Sequence, residues 1–296
     1  LGSEFHSVSR LTRIFYKNKY FKYPIKPVDA LTKLGLWESS EAIFSFALAQ
    51  FKGGEPVNFE EWIIRKFGRK LYKTFFKTYT EKVWGIPCDQ IDPAWAQQRI
   101  KGLDALEIIK NALSLNKKRK IKTLIEEFYF PVLGAGQMYE AMCRKVLSLG
   151  AELMLNTEVI RFNRQDDTIN SIDVRTREKE ELRITARHFF SSIPLACFFD
   201  MLEPAQTGEV SEASGMLRYR DHISVHLLLN RDDLFTDQWL YVHSPDLQLA
   251  RVVNYNNFSK AMVGAAGKTG LTAEYFVFKD KGLSRETDDY LIRLAI

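Results

Sequence analysis

The sequence predicts a mixed α/β (α+β) protein, with helices and a mixed or antiparallel sheet towards its two ends and a nucleotide-type lobe between them. Three changes of texture carry that expectation. The first third places apolar and aromatic side chains at helical spacing, as in Leu71, Tyr72, Phe75, Phe76, Tyr79 and Val83. At Glu126 the pattern becomes strand, Gly-rich turn (Gly134-Ala135-Gly136), helix and strand. From Arg218 onward short alternating runs return, as a half-buried antiparallel sheet requires. The expected division is therefore 1–125, 126–200 and 201–296, with the first and last segments packed as one domain.

The elements follow in order. Residues 11–24 form two β-rich runs around Lys17-Asn18-Lys19, a hairpin. Pro27 opens a short helix, and Gly35 separates it from a longer one over 37–51. Asn58 caps the next helix, whose Glu60 and Glu61 suit its positive end. A helix over 105–113 closes this part. Residues 128–132 form the first strand of the middle lobe, followed by a helix over 138–149, which Gly150 stops, and by strands at 152–155 and 158–163. The third glycine of a dinucleotide fingerprint would fall at Tyr139, whose bulk would hold the helix off the sheet, so this turn is not a pyrophosphate loop. Residues 169–175 and 182–185 complete a meander, and 188–194 read as a buried apolar strand ending in Ser-Ser and Pro. Strands at 222–230, 238–243, 249–254 and 272–278 build the last sheet. Thr287 begins a closing helix.

Composition narrows the function classes. A hydrophobic fraction of 46% supplies real cores, and 27% charged residues with a mean hydropathy of −0.22 read as soluble and globular. A net charge of +5 suits anionic small molecules and is too small to argue for nucleic acid. The dense basic cluster Lys117-Lys118-Arg119-Lys120, with Lys122, reads as a solvated loop. Cys88, Cys143 and Cys197 are far apart and odd in number, which argues against a disulfide framework or a zinc site and for reduced thiols in a cytoplasm. No run of 18 apolar residues marks a membrane span. His222 and His226 would lie about 13 Å apart on a strand, so no metal site is expected from them. No G-x-S-x-G elbow points to a serine hydrolase.

The stretch of residues 75–102 carries most of the chemistry. Trp84 ends one helix before the Gly85-Ile86-Pro87 break, and Asp92-Pro93 opens another that projects Arg99. An indole face and a guanidinium fork on either side of one turn suit a small anionic or sugar-like ligand. A core tryptophan and a surface arginine are the alternative reading of the same residues. The polar, aromatic run Asn254-Tyr255-Asn256-Asn257-Phe258 could face a pocket or form a surface loop.

Residues 77–87, KTYTEKVWGIP, resemble the YTEK-x-WG-x-P signature of flavin-dependent oxidoreductases related to UDP-galactopyranose mutase, a superfamily that also holds protoporphyrinogen oxidase and the amine oxidases. The resemblance runs on through PVLGAGQMYEA, NTEVIRF, HFFSSIPL and GLTAEYFVF. It implies FAD as cofactor and an internal part of a glutathione-reductase-type FAD-binding fold at 126–200, joined to a substrate domain built from 1–125 and 201–296. It places Trp84 and Arg99 at the substrate pocket, Val159 where backbone reads the FAD adenine, and Ser192 and Pro194 where backbone nears the cofactor. The flavin does the electron work in such proteins, so no catalytic side chain is assigned. The family's opening GxGxxG turn and closing flavin segment are not among these residues, and the resemblance implies a piece of a longer protein. The expected activity is redox or redox-neutral flavin chemistry on a small molecule, with a nucleotide-sugar as the candidate that the mutase-like signature implies. Oxidation of a porphyrinogen or an amine, and a binding module without cofactor, are the alternatives.

Overall fold

The computed structural model describes residues 2–99 and 126–296, apart from positions 26, 52, 265 and 280. The helix expected at 105–113 and the basic cluster at 117–122 lie outside the described residues. The chain divides into two compact units, one of residues 1–141 with 220–296 and the other of 142–219.

The first unit is built on a six-stranded sheet with a helical layer. Strands β1 (Phe5–Ser9), β2 (Thr12–Tyr16) and β3 (Lys19–Lys22) open the chain. The β2–β3 hairpin turns on Lys17 and Asn18, with φ of 48° and 58°, the left-handed pair that matches strand twist. Helices α1 (Pro27–Leu34), α2 (Leu36–Gln50) and α3 (Phe59–Tyr72) follow. Asn58 caps α3 by accepting a hydrogen bond from the Glu61 N–H at 2.9 Å. Inside α3, Gly68 takes φ 81°, and a Cβ there would sit 2.6 Å from the Phe46 backbone nitrogen of α2. The two helices therefore touch backbone to backbone at this point. A π-turn at Lys73–Lys77 leads into α4 (Thr78–Trp84), and α5 is Pro93–Arg99.

Strand β4 (Glu127–Pro131) pairs with β1, Phe5 opposite Pro131 and Ser9 opposite Glu127. This ladder ties the stretch from 126 to the first unit, so the boundary expected at residue 125 lies further on, within α6 (Ala135–Ser148).

The second unit holds β5 (Glu158–Gln165), β6 (Thr168–Arg175) and β7 (Glu181–Thr185), an antiparallel meander, with α7 (Leu195–Asp200) and β8 (Leu202–Glu203) added beside β5 and then α8 (Glu209–Met216). Its core packs Phe162 on Phe198, ring centroids 4.7 Å apart, with Val174 and Leu202 buried. Two expected strands are not formed. Residues 152–155 and 188–194 are extended or irregular, and Phe190 is 99% exposed. An apolar run becomes a strand when another strand takes up its N–H and C=O groups, and no described strand pairs with either segment.

Strands β9 (Asp221–Leu229), β10 (Trp239–Val242), β11 (Arg251–Asn254) and β12 (Thr269–Val277) complete the six-stranded sheet in the order β3-β2-β10-β11-β12-β9. The β2–β10 contact is parallel and joins segments more than 220 residues apart, Thr12 to Trp239 and Phe15 to Val242. Opposed residues share a face. One face buries Val225, Ala273 and Tyr275 under Leu291 of α9 (Asp288–Ala295). The other buries Ile14 and Phe21 under Ala30, Leu34 and Phe75, with Phe21 and Phe75 in edge contact at 4.9 Å. Only part of that second face has apolar cover, and the remainder is the site.

Candidate ligand-binding face

The signature helix α4 lies against the second face. Most residues of its YTEK-x-WG run have an identifiable task. Lys77 pairs with Glu81 at 2.6 Å, one turn along. Tyr79 stacks on His243, centroids 4.9 Å apart and planes 6° from parallel, and meets Tyr241 edge-on at 5.1 Å. Burial of that ring pushes the Tyr79 hydroxyl well above the usual tyrosine range. Lys82 donates to the carbonyls of Val242, Ser244 and Leu249 at 2.9, 2.8 and 3.1 Å. Its removal from water pulls its pKa down to about 8. Gly85 ends the helix in the left-handed region, φ 68°. Arg220 closes the helix end, donating to the carbonyls of Lys82 and Val83 at 3.0 and 3.1 Å and to that of Phe276 at 2.6 Å.

The sheet face that this helix leaves open is polar. Tyr241 pairs with Arg251, Arg251 with Glu274 and Glu274 with Ser224, so all four project to one side. The next row on that side holds Trp239, Val253, Thr272 and His226. Buried Glu274 accepts the Arg251 Nε–H, and His222 Nε2 lies 3.6 Å from the same carboxylate. Among the described residues the terminal nitrogens of Arg251 have no protein partner, and its side chain is 33% exposed. His226 Nδ1 is 2.7 Å from the Thr272 hydroxyl. At the other end of the row, the Arg10 guanidinium lies 5.3 Å from the centroids of both Tyr23 and Trp239, and its buried Nε has no partner among the described residues. An arginine gripped at Nε by a buried carboxylate presents its outer fork to solvent, and aromatic rings border it. That combination can hold an anionic group beside a planar or sugar ring.

The residues singled out from the sequence fall in three places. Trp84 ends α4 and packs edge-on against Trp95 at 5.2 Å, beside the core of Phe59, Ile63, Tyr72 and Cys88. Its indole N–H is buried without a partner among the described residues. Arg99 ends α5, and its side chain lies outside the described residues. In the second unit, half-buried Val159 pairs with Val174 at a register shift that runs to Arg161. Exposed Ser192 and Pro194 lie in the extended segment before α7, with Pro194 as its N-cap. Val159 thus sits at a ladder irregularity, and Ser192 and Pro194 lie on exposed, irregular backbone. No described glycine stands in a strand–GxGxxG–helix turn, so they do not amount to a pyrophosphate cradle. The 254–258 run forms a structural knot. Asn254 and Asn257 both donate to the Phe235 carbonyl, Asn256 donates to that of Lys268, and Phe258 stacks on Trp239.

Sequence reasoning missed Tyr79, Arg251, Glu274 and Arg10 as site residues. A signal existed for one of them, since Tyr79 lies inside the signature. The others gain meaning only through cross-strand register.

No family model matches the sequence. Solved structures do. UDP-galactopyranose mutase in its reduced form superposes with a TM-score of 0.76 at 18% identity, over 97% of this chain and 61% of that one. A protein assigned as protoporphyrinogen oxidase, from Exiguobacterium sp. 255-15, gives 0.68 at 14% identity over 100% and 65%. A redesigned putrescine oxidase gives 0.54 at 11% over 97% and 62%. The chain therefore shares the fold of these three proteins, a mutase and two oxidases by their names. It spans less than two thirds of their length. Among the described residues no helix is long and apolar enough to cross a membrane.

Proposed function

We propose that this chain carries the substrate-binding part, and an inner portion of the cofactor-binding part, of an FAD-dependent oxidoreductase or isomerase acting on an anionic, ring-bearing small molecule such as a nucleotide-sugar. The observation that carries the reading is the Arg251 fork, held by buried Glu274 and bordered by Tyr241 and the signature tyrosine Tyr79. Its setting in a fold like that of UDP-galactopyranose mutase supports it. Trp84 and Arg99 belong to the same proposal as pocket wall, Val159, Ser192 and Pro194 as cofactor rim. FAD, when bound, supplies the electron chemistry; the chain's own residues bind and orient. An amine substrate is disfavoured, because a cation would meet Arg251 and Arg10 on the open face.

The test is calorimetric titration of UDP-sugars into the full-length protein alongside its visible flavin absorbance. Arg251→Lys keeps the charge but loses the fork, and should weaken binding by about 10- to 100-fold with little change in melting temperature. Trp84→Phe deletes a buried N–H that has no partner among the described residues, so stability should hold within about 1 kcal/mol; a drop in affinity would put the indole at the pocket wall, and unchanged affinity would leave it in the core. Unaltered binding in Arg251→Lys would remove the fork from the site. A folded, colourless protein would leave a binding module instead.

A further inference from the structure

Helix α2 has an unusual surface. Its 15 residues include two charges, Glu38 and Glu41, and Ala42 and Ala49 are buried on the side facing the protein. The opposite side is apolar and uncovered. Leu36 is 94% exposed, Trp37 84%, Phe44 66% and Leu48 53%, and Phe51 just beyond the helix reaches 87%. Trp37, Ser40, Phe44, Leu48 and Phe51 recur at spacings of three and four and so form one stripe, with Leu36, Ile43 and Ala47 along its flank. A run of bare aromatic and aliphatic side chains this long is not ordinary soluble surface.

The charges around the stripe say what it faces. Both acids of α2 are neutralised, Glu38 by Lys17 at 3.3 Å and Glu41 by Lys70 at 2.7 Å. The first pair brings the β2–β3 hairpin tip beside the start of α2. That neighbourhood carries Lys17, Lys19, Lys22 and Lys33 against Asp29 and Glu38. Along the other flank, α3 and the π-turn contribute Arg65, Arg69, Lys70 and Lys73 against Glu60 and Glu61, with Arg69 3.8 Å from Glu60. An apolar, aromatic-bearing stripe bracketed by basic residues matches an interface of lipid tails below and anionic headgroups around. A second copy of the chain would instead bring these basic flanks against like charge wherever two stripes packed face to face.

We propose that α2 docks the protein peripherally on an anionic membrane surface, with Trp37, Phe44, Leu48 and Phe51 entering the headgroup–acyl boundary and the flanking lysines and arginines meeting lipid phosphates. The helix is too short to span and lies in the interface plane. This inference is independent of the chemistry proposed above.

Sedimentation of the full-length protein with vesicles tests it, using phosphatidylcholine alone and phosphatidylcholine with an equal part of phosphatidylglycerol. The protein should pellet with the mixed vesicles and not with the neutral ones, and added salt should release it. Phe44→Glu places a charge in the stripe at an exposed position, so the fold should survive and the partition coefficient should drop about tenfold or more. Ser40→Ala, on the same stripe, should bind as the parent does. Equal binding to both vesicles, binding unaffected by Phe44→Glu, or no binding to either would overturn the proposal. So would light scattering that shows a dimer which Phe44→Glu dissociates, because the stripe would then belong to a second copy.

Discussion

Gly85 shows how much one residue decides here. Its φ of 68° lets α4 stop and turn, and a Cβ would lie 2.6 Å from Arg220 Nη1 and 2.7 Å from the Phe278 ring. Gly85→Ala should therefore cost about 1–3 kcal/mol, from left-handed strain and displacement of the arginine that caps the helix. Chemical denaturation measures it, and a loss well under 1 kcal/mol would mean that Arg220 is not held as described. The signature around this glycine was legible as a motif, and the break at Gly85 and Pro87 could be read directly. The tasks of its members could not. Tyr79 and Lys82 act on His243, Val242, Ser244 and Leu249, more than 150 positions away in sequence, and no local pattern encodes such partners.

Among elements, the helices and the hairpin were the most readable, because caps, turns and 3.6-residue spacing are local. The α2–α3 pair shows what such reading omits. Gly68 looks like a helix interruption in the sequence, whereas it lets the two helices touch at Phe46. The obstacle to any side chain there is backbone at 2.6 and 2.8 Å, which cannot rotate aside. Gly68→Ala should destabilise the first unit by about 2–4 kcal/mol, through combined overpacking and left-handed strain. A melting temperature equal to the parent's would show that α2 can slide away. The expected strands at 152–155 and 188–194 mark the opposite limit. Apolar composition nominates a strand, but only a pairing partner makes one, and composition does not say where that partner is.

At the scale of the molecule, the helical layer is fastened to the sheet through buried groups that respond to pH. Burial, with Lys82 nearby, holds the His243 imidazole down to about 3 against an ordinary value of 6.5. Between those values the unfolded chain takes up a proton that the folded protein refuses. Stability is therefore complete above about pH 6.5 and falls as pH drops towards 3, by at most about 1.4 kcal/mol per pH unit from this group. His243→Gln removes the titration, so its denaturation midpoint should vary less with pH over that window, even if the variant is weaker throughout. Parallel curves for the two proteins would show that His243 does not carry the acid sensitivity.

The sheet itself was only half readable. Every strand of the six-stranded sheet could be proposed in isolation, but the parallel pairing of β2 with β10 could not, since it joins residues 12–15 to 239–242. That one ladder fixes an order of events during synthesis. The β2–β3 hairpin is synthesised before the strand it pairs with, and its place in the sheet is created by β10 roughly 220 residues later, a wait of about 10–40 s at common elongation rates. For that interval Ile14 and Phe21 have α1 and Phe75 to lean on, while the β2 edge stays unpaired. The nascent chain thus carries an open template for stray β-pairing until residues 239–242 emerge, and chaperones that shield extended segments would find their client there.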